Sequence, residues 1–286
     1  MGLSWQQGPL GAGPVGHFLT PDPLPERLLF AERLRRRMRV KFNDTWIADS
    51  DDVVLLHEPG RYPVAYFPRE SVKAGALVAA DKVTQHKDLG LTAWYTVSVG
   101  DRATQRAAWE LIDLPEYAAD FQDRIAFAWR AMDAFYEEDE RILGHAADPY
   151  HRIDIRDTSR TLEVRVGDTV VARSQNPIVL FESGFAPRWY VPLADIDSTH
   201  LTSVEGQTFC PYKGLCDYYD VAGVARGAWY YANPYREVDR IAGTVSFEPD
   251  RVEVYLDGKR LELEPGQRVV AHGVDRGLDV DEVKGL

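Results

Sequence analysis

Short β-branched and aromatic runs are broken by polar turn residues about every ten positions, the rhythm of antiparallel strands. MRVKF runs into Asn43-Asp44 and resumes as TWIA, while LEVRV runs into Gly167-Asp168 and resumes as TVVA. Both are expected to be β-hairpins, because Asn, Asp and Gly accept the positive φ of a two-residue turn. Further strand-like runs are VVLLHE, PVAYF, TAWYTV and AAWELI, then IVLFES, RWYVP, CDYYDV, GAWYYA, GTVSF and RVEVYL, the last meeting Asp257-Gly258 before KRLEL. The expected fold class is mainly β, with two tandem homologous small antiparallel β domains and few short helices. PERLLFAERLRRRM, residues 25–38, reads equally as a helix, with Pro25 in its first turn, or as extended chain. One short helical turn is expected after each of Pro68 and Pro192, over 68–75 and 192–198.

The pattern occurs twice. Residues 40–97 align without a gap on 164–221 at a constant offset of 124, and 17 of 58 positions are identical where composition alone gives roughly 3 or 4. Glu58, Gly60, Pro63, Tyr66 and Pro68 fall on Glu182, Gly184, Pro187, Tyr190 and Pro192. Farther on, Trp109 matches Trp229 at an offset of 120, and Asp123-Arg124-Ile125-Ala126 matches Asp239-Arg240-Ile241-Ala242 at 116. The organisation read from this is an N-terminal extension over 1–37, a first repeat domain over 38–143, a linker over 144–160, and a second repeat domain with a C-terminal tail over 161–286. The Gly- and Pro-rich first 22 residues would wrap over a domain or be disordered.

A formal net charge of −12 opposes nucleic acid and anionic lipid, so neither is an expected partner. The basic run of Arg33, Arg35, Arg36, Arg37 and Arg39 is expected to be solvated or ion-paired. No apolar run approaches the roughly 18 residues that span a bilayer, and the opening lacks the marks of an export signal, so a cytoplasmic location is expected. Cys210 and Cys216 are too few for a disulfide scaffold and poorly spaced for zinc, so no metal site is expected.

The segment T-x-C-P-Y-K-G over 208–214, with E-S-G-x-x-P-R-W-Y-x-P upstream and G-A-W-Y-Y downstream, resembles the domain-of-unknown-function 427 family. Thr84, His86, Asp88, Leu89 and Gly90, with Asp148-Pro149-Tyr150-His151-Arg152 between the copies, resemble its tandem form. The resemblance covers about residues 35–262 and implies a small, tent-like or open-barrel β fold. It implies no defined activity beyond a nucleotidyltransferase label, and no phosphate-cradling Gly-rich loop ending in Lys-Ser or Lys-Thr accompanies it.

Positions kept in both copies divide into turns and core, such as Gly90/Gly214, and polar residues, Glu58/Glu182, Tyr66/Tyr190, Tyr95/Tyr219 and Thr84/Thr208. The polar set reads as hydrogen-bonding scaffold or as the floor of a site present twice. Where the first copy has Val64, His86, Asp88 and Leu89, the second has Arg188, Cys210, Tyr212 and Lys213. Lys213 and Arg188 near Cys210 would lower its pKa and make it a reactive thiolate; otherwise Cys210 is a small buried hydrophobe. In an extended chain His86 and Asp88 share a side, and Asp88 would orient His86 as a base. His57, His145 and His151 read as structural or exposed, and Cys216 as core.

Three functions follow. An enzyme, a transferase or hydrolase using its thiol, would act on a carboxylate or phosphate through Cys210 and Lys213, with His86 and Asp88 as further catalytic candidates. Glu182, Arg188, Tyr190, Thr208, Tyr212, Trp229 and Tyr66 would line its ligand sites. A non-catalytic small-molecule binding protein would hold two diverged pockets in the same places. Nucleotidyl transfer follows from the label alone. No cofactor is identifiable, and a monomer or homodimer is expected.

Overall fold

Each apolar run becomes a strand, and the strands pair in the same order in both halves of the chain. A computed structural model describes residues 27–58, 61–183 and 185–262, which divide into two compact units between 148 and 149. The expectations for the first 22 residues, for Gly60 and for Gly184 lie outside the described residues.

The first unit contains β1 (Phe30–Leu34), β2 (Met38–Phe42), β3 (Thr45–Ser50), β4 (Val53–His57), β5 (Val64–Pro68), β6 (Leu77–Gln85), β7 (Leu91–Val99), β8 (Arg102–Ile112), β9 (Arg124–Phe127), β10 (Ala134–Glu137) and β11 (Glu140–Ile142). The second contains β12 (Ile153–Asp157), β13 (Leu162–Val166), β14 (Thr169–Ser174), β15 (Ile178–Glu182), β16 (Arg188–Pro192), β17 (Leu201–Cys210), β18 (Gly214–Val221), β19 (Val224–Tyr230), β20 (Thr244–Phe247), β21 (Glu253–Leu256) and β22 (Lys259–Arg260).

Each unit pairs a seven-stranded antiparallel sheet with a four-stranded one, ordered β1-β4-β5-β9-β8-β7-β6 and β11-β10-β2-β3 in the first, β12-β15-β16-β20-β19-β18-β17 and β14-β13-β21-β22 in the second. Neither sheet closes into a barrel. The repeat extends to fine irregularities: the β2–β3 ladder slips between Val40 and Lys41, and the β13–β14 ladder between Val164 and Arg165, 124 residues on.

The large sheet is buried on both faces, which explains strands as apolar as VVLLH in β4. In the first unit, Leu55, Phe67, Val97 and Ile125 pack towards Val40 and Phe42 of the small sheet. Val54, Leu56, Tyr66 and Ala126 point the other way, because alternate side chains leave a strand on opposite faces. That outer face lies under Ala118 and Phe121, from the 3₁₀ turn Glu116–Phe121, and under Leu89. In the second unit Leu180, Tyr190, Trp229 and Tyr231 lie under Val238 and Ile241 of Arg236–Ile241.

The stretch 25–38, open between helix and extended chain, is strand where β1 forms, and β1 falls inside the span read as extension, as β12 falls inside that read as linker. Both are edge strands carrying charge, Glu32 and Arg33 in one and Asp154 and Arg156 in the other. Charge protects an open edge from further pairing and also hides the strand from an apolar-pattern reading. The match of 123–126 to 239–242 is replaced. Tyr66 faces Ala126 and Tyr190 faces Ser246, so the offset there is 120 and 239–242 overlaps the 3₁₀ turn. The turns expected after Pro68 and Pro192 form, as Arg69–Ser71 and Leu193–Asp195. The arginine run is ion-paired, with Arg33 to Asp52 (3.0 Å), Arg36 to Glu137 (2.6 Å), Arg37 to Asp49 (2.5 Å) and Arg39 to Asp139 (2.8 Å). No helix among the described residues is long and apolar enough to cross a membrane.

Gly90 and Gly214 start β7 and β18 from the left-handed region, at φ +74° and +100°. A Cβ on Gly90 would lie 2.3 Å from the Asp113 carbonyl oxygen, whereas one on Gly214 comes no closer than 3.4 Å to the Asn233 oxygen. Gly90→Ala is expected to cost about 2–4 kcal/mol and Gly214→Ala about 1 kcal/mol, read from urea denaturation. Equal costs would contradict the close approach at Gly90.

Candidate functional site

The kept glutamates stand at one place in each unit, at the end of β4 and of β15, and both are buried. In the second unit Lys213 Nζ donates to Glu182 Oε2 at 2.6 Å, and His151 Nε2 lies 2.8 Å from Oε1. Lys213 is 1% exposed. The turn over 211–213 aims it inward, its amide donating to the Cys210 carbonyl (3.3 Å) and its carbonyl accepting from the Tyr235 amide (3.1 Å). His151 is placed by hydrogen bonds that carry the β12–β15 ladder past its end, from Ser183 N to Arg152 O and from Arg152 N to Ser183 Oγ, both 2.9 Å. Tyr212 stacks on the imidazole at 3.7 Å.

Burial alone would push the Glu182 carboxyl up, but Lys213 and His151 outweigh it and hold it well below the usual carboxylate range. Burial likewise pulls on the Lys213 ammonium, yet Cys210, Glu182 and Tyr190 hold its pKa above the usual value. Burial pushes the Cys210 pKa up by more than Lys213 pulls it down, and the side chain is 8% exposed. Cys216 is buried in β18, pushed up to about 12 by burial.

The first unit meets its glutamate with other residues. Arg61 Nη1 lies 3.2 Å from Glu58 Oε2, His86 Nε2 3.4 Å from Oε1, and Arg27 Nη2 3.8 Å from Oε1. Asp88 does not orient His86. Residues 86–90 form a turn rather than a strand, and His86 Nδ1 accepts from the backbone amides of Asp88 (3.2 Å) and Leu89 (3.0 Å). The Asp88 carboxylate instead takes Arg27 at 2.7 Å, which holds its pKa below the usual value. Glu58, His86 and Asp88 bring ligand atoms within 4.8 Å of one another, a spacing a divalent cation could bridge. The Arg27 guanidinium already supplies positive charge there.

Arg27 and His151 occupy the same position 124 residues apart, so the repeat begins earlier than the identities reveal. Sequence reading assigned His151 to the linker and gave Arg27 no role. The available signal was the family-like run 148–152 together with the unbroken offset.

Of the remaining candidates, Tyr66 and Tyr190 are core, burial raising both phenols, and the Tyr66 hydroxyl accepts from Trp109 Nε1 at 3.1 Å. Thr84 Oγ1 accepts from Trp94 Nε1 (3.0 Å), and Thr208 Oγ1 pairs with the Tyr218 hydroxyl (2.7 Å). Arg188 lies over Trp229, its guanidinium 5.3 Å from the ring centre, and 3.6 Å from Glu248. Burial lowers the Arg188 pKa and raises that of Glu248. Arg188 also contributes to the wall of a cavity of about 190 Å³, with Leu162, Trp189, Phe247, Val254 and Leu261.

A family model described as Domain of unknown function (DUF427) matches residues 30–138 and again 154–258. The chain belongs to the DUF427 family. The two matches start at β1 and within β12, so each DUF427 repeat includes the edge strand beside its buried glutamate. No curated protein matched the chain.

The Glu182–Lys213 pair sets a pH window. A carboxyl held down contributes stability fully above its unfolded pKa near 4.5, lost as pH falls through the folded value; an ammonium held up contributes below 10.5, lost as pH rises through its folded value. The contribution is therefore level between these limits. Lys213→Met is expected to cost about 3–5 kcal/mol at neutral pH. Part should return on acidification towards pH ~5, as the stranded carboxyl takes a proton. Urea titrations across this range check it, and a deficit independent of pH would contradict a charged Glu182.

Proposed function

We propose that this DUF427 protein binds a small molecule without turning it over, and that the ligand site lies in the second repeat with Arg188 as its anion anchor. The observation that carries this reading is the state of the guanidinium. Arg188 is 4% exposed, and its Nε and Nη2 have no hydrogen-bond partner among the described residues. A buried charge with unmet donors costs several kcal/mol unless a partner meets it. A carboxylate or phosphate group does so with two parallel hydrogen bonds.

The groups a thiol enzyme would use are already committed. Lys213 is bound to Glu182 and keeps its proton, so it serves as a fixed cation rather than as a base or an amine nucleophile. Cys210 is buried with a raised pKa, which disfavours the thiolate that attack would need. Both support the turn over 211–213.

Two measurements test this. The Cys210 thiol should react with iodoacetamide more slowly than free cysteine near neutral pH. In ligand-observed NMR, Arg188→Met should weaken binding of a branched carboxylate, 4-methylpentanoate, by at least tenfold, while Cys210→Ala melts lower and binds as before. Fast alkylation together with loss of binding in Cys210→Ala would return the site to the thiol.

A further inference from the structure

The two repeats fill the core beneath their large sheets differently. In the first, the Trp129 indole stacks on Phe135 of β10, with ring centres 3.7 Å apart and planes 7° from parallel, in the same core as Phe127 and Ile142. The ladders locate these positions in the second repeat. Phe127 faces Ala108 as Phe247 faces Ala228. Ala128 N donates to Ala107 O and Ala131 N to Ala128 O, as Glu248 N donates to Gly227 O and Arg251 N to Glu248 O, so Pro249 stands where Trp129 does. Phe135 faces Val40 and Val254 faces Val164, and 40 and 164 are aligned, so Val254 stands where Phe135 does. Both rings of the stack are therefore missing from the second repeat. Trp189, in place of Ala65, brings an indole to the same region. A cavity of about 190 Å³ nevertheless remains, walled by Leu162, Trp189, Phe247, Pro249, Val254 and Leu261.

That wall defines a ligand chemistry. Arg188 and Glu248 precede and follow Trp189 and Phe247 in their strands, so their side chains leave on the opposite face and carry no charge into the cavity. Glu262, at its wall, is exposed. Protein interiors pack densely, and an apolar void of about 150 Å³ stays dry and admits benzene. The side chains missing here are flat rings, and Trp189 and Phe247 offer aromatic partners to another.

We infer that the second repeat binds a neutral aromatic ring, of benzene to indole size, in the space that Trp129 and Phe135 fill in the first. This site is separate from the Arg188 guanidinium and does not rest on the anion anchor.

Indole is the probe, followed on the full chain by ligand-observed NMR. It should bind saturably, and Val254→Phe, which restores the first repeat's side chain, should weaken binding by about tenfold or more. Excess acetate, an anion with no ring, should not displace it, so this inference and the anion anchor fail separately. In the unmodified protein, indole protons should show nuclear Overhauser contacts to the methyl groups of Val254 and Leu261. Displacement by acetate, contacts confined to other residues, undiminished binding in Val254→Phe, or no saturable binding at all would each overturn the site. If Val254→Phe does not fold, the Overhauser contacts in the unmodified protein decide alone.

Discussion

A carboxylate buried at the end of the fourth strand is the interaction around which each repeat is arranged. Glu58 and Glu182 lie beside a sheet packed on both faces, where an ionised group is costly unless a cation reaches it. In the second repeat two distant segments reach it, the Lys213 ammonium from the turn after β17 and the His151 imidazole from before the edge strand. In the first the guanidinium groups of Arg27 and Arg61 and the His86 imidazole do so, again including the segment before the edge strand and the turn after β6. The charge thereby pins the edge strand and the long hairpin to the same spot.

Because partners must match, the repeats diverged in sets rather than singly. Arg27 bonds Asp88; at the same two positions the second repeat stacks His151 on Tyr212. Trp94 donates to Thr84, and Tyr218 pairs with Thr208. Leu89 packs in the outer-face core while Lys213, at its position, meets Glu182. Each exchange keeps a contact and changes its chemistry. The replacement around Arg188, Ser246 and Glu248 differs, because it adds polar groups without closing hydrogen bonds among them.

The duplication, the β class, the hairpin turns and the buried pair of glutamates were legible because identities and turn residues mark them directly. Arg188, Cys210, Tyr212 and Lys213 were legible as differences inside the gapless alignment. Glu248 and Ser246 were not, since they lie beyond a change of offset and correspond to Ala128 and Ala126, which share no chemistry with them. Arg27 and His151 were hidden because charged edge strands look like linker, and the two residues are unlike. The Asp88–His86 reading changed with geometry: in a turn rather than a strand, His86 Nδ1 takes backbone amides and the Asp88 carboxylate takes Arg27, although the two side chains stay close. Lys213, expected beside the thiol as an activating cation, already holds the Glu182 carboxylate, and burial pushes the Cys210 pKa up by more than Lys213 pulls it down.

The β7–β8 hairpin closes on Val99 opposite Arg102, the β18–β19 hairpin on Val221 opposite Val224, and both span two residues at the tip. Val221 is the counterpart of Val97, so the later hairpin is two ladder rungs shorter and four residues are missing. Antiparallel rungs alternate between narrow and wide, and a two-residue tip closes only a narrow one. Trimming one rung would leave the tip on the wrong kind. Length in this arm of the fold is therefore quantised: relatives that keep the tight tip should differ here by multiples of four residues.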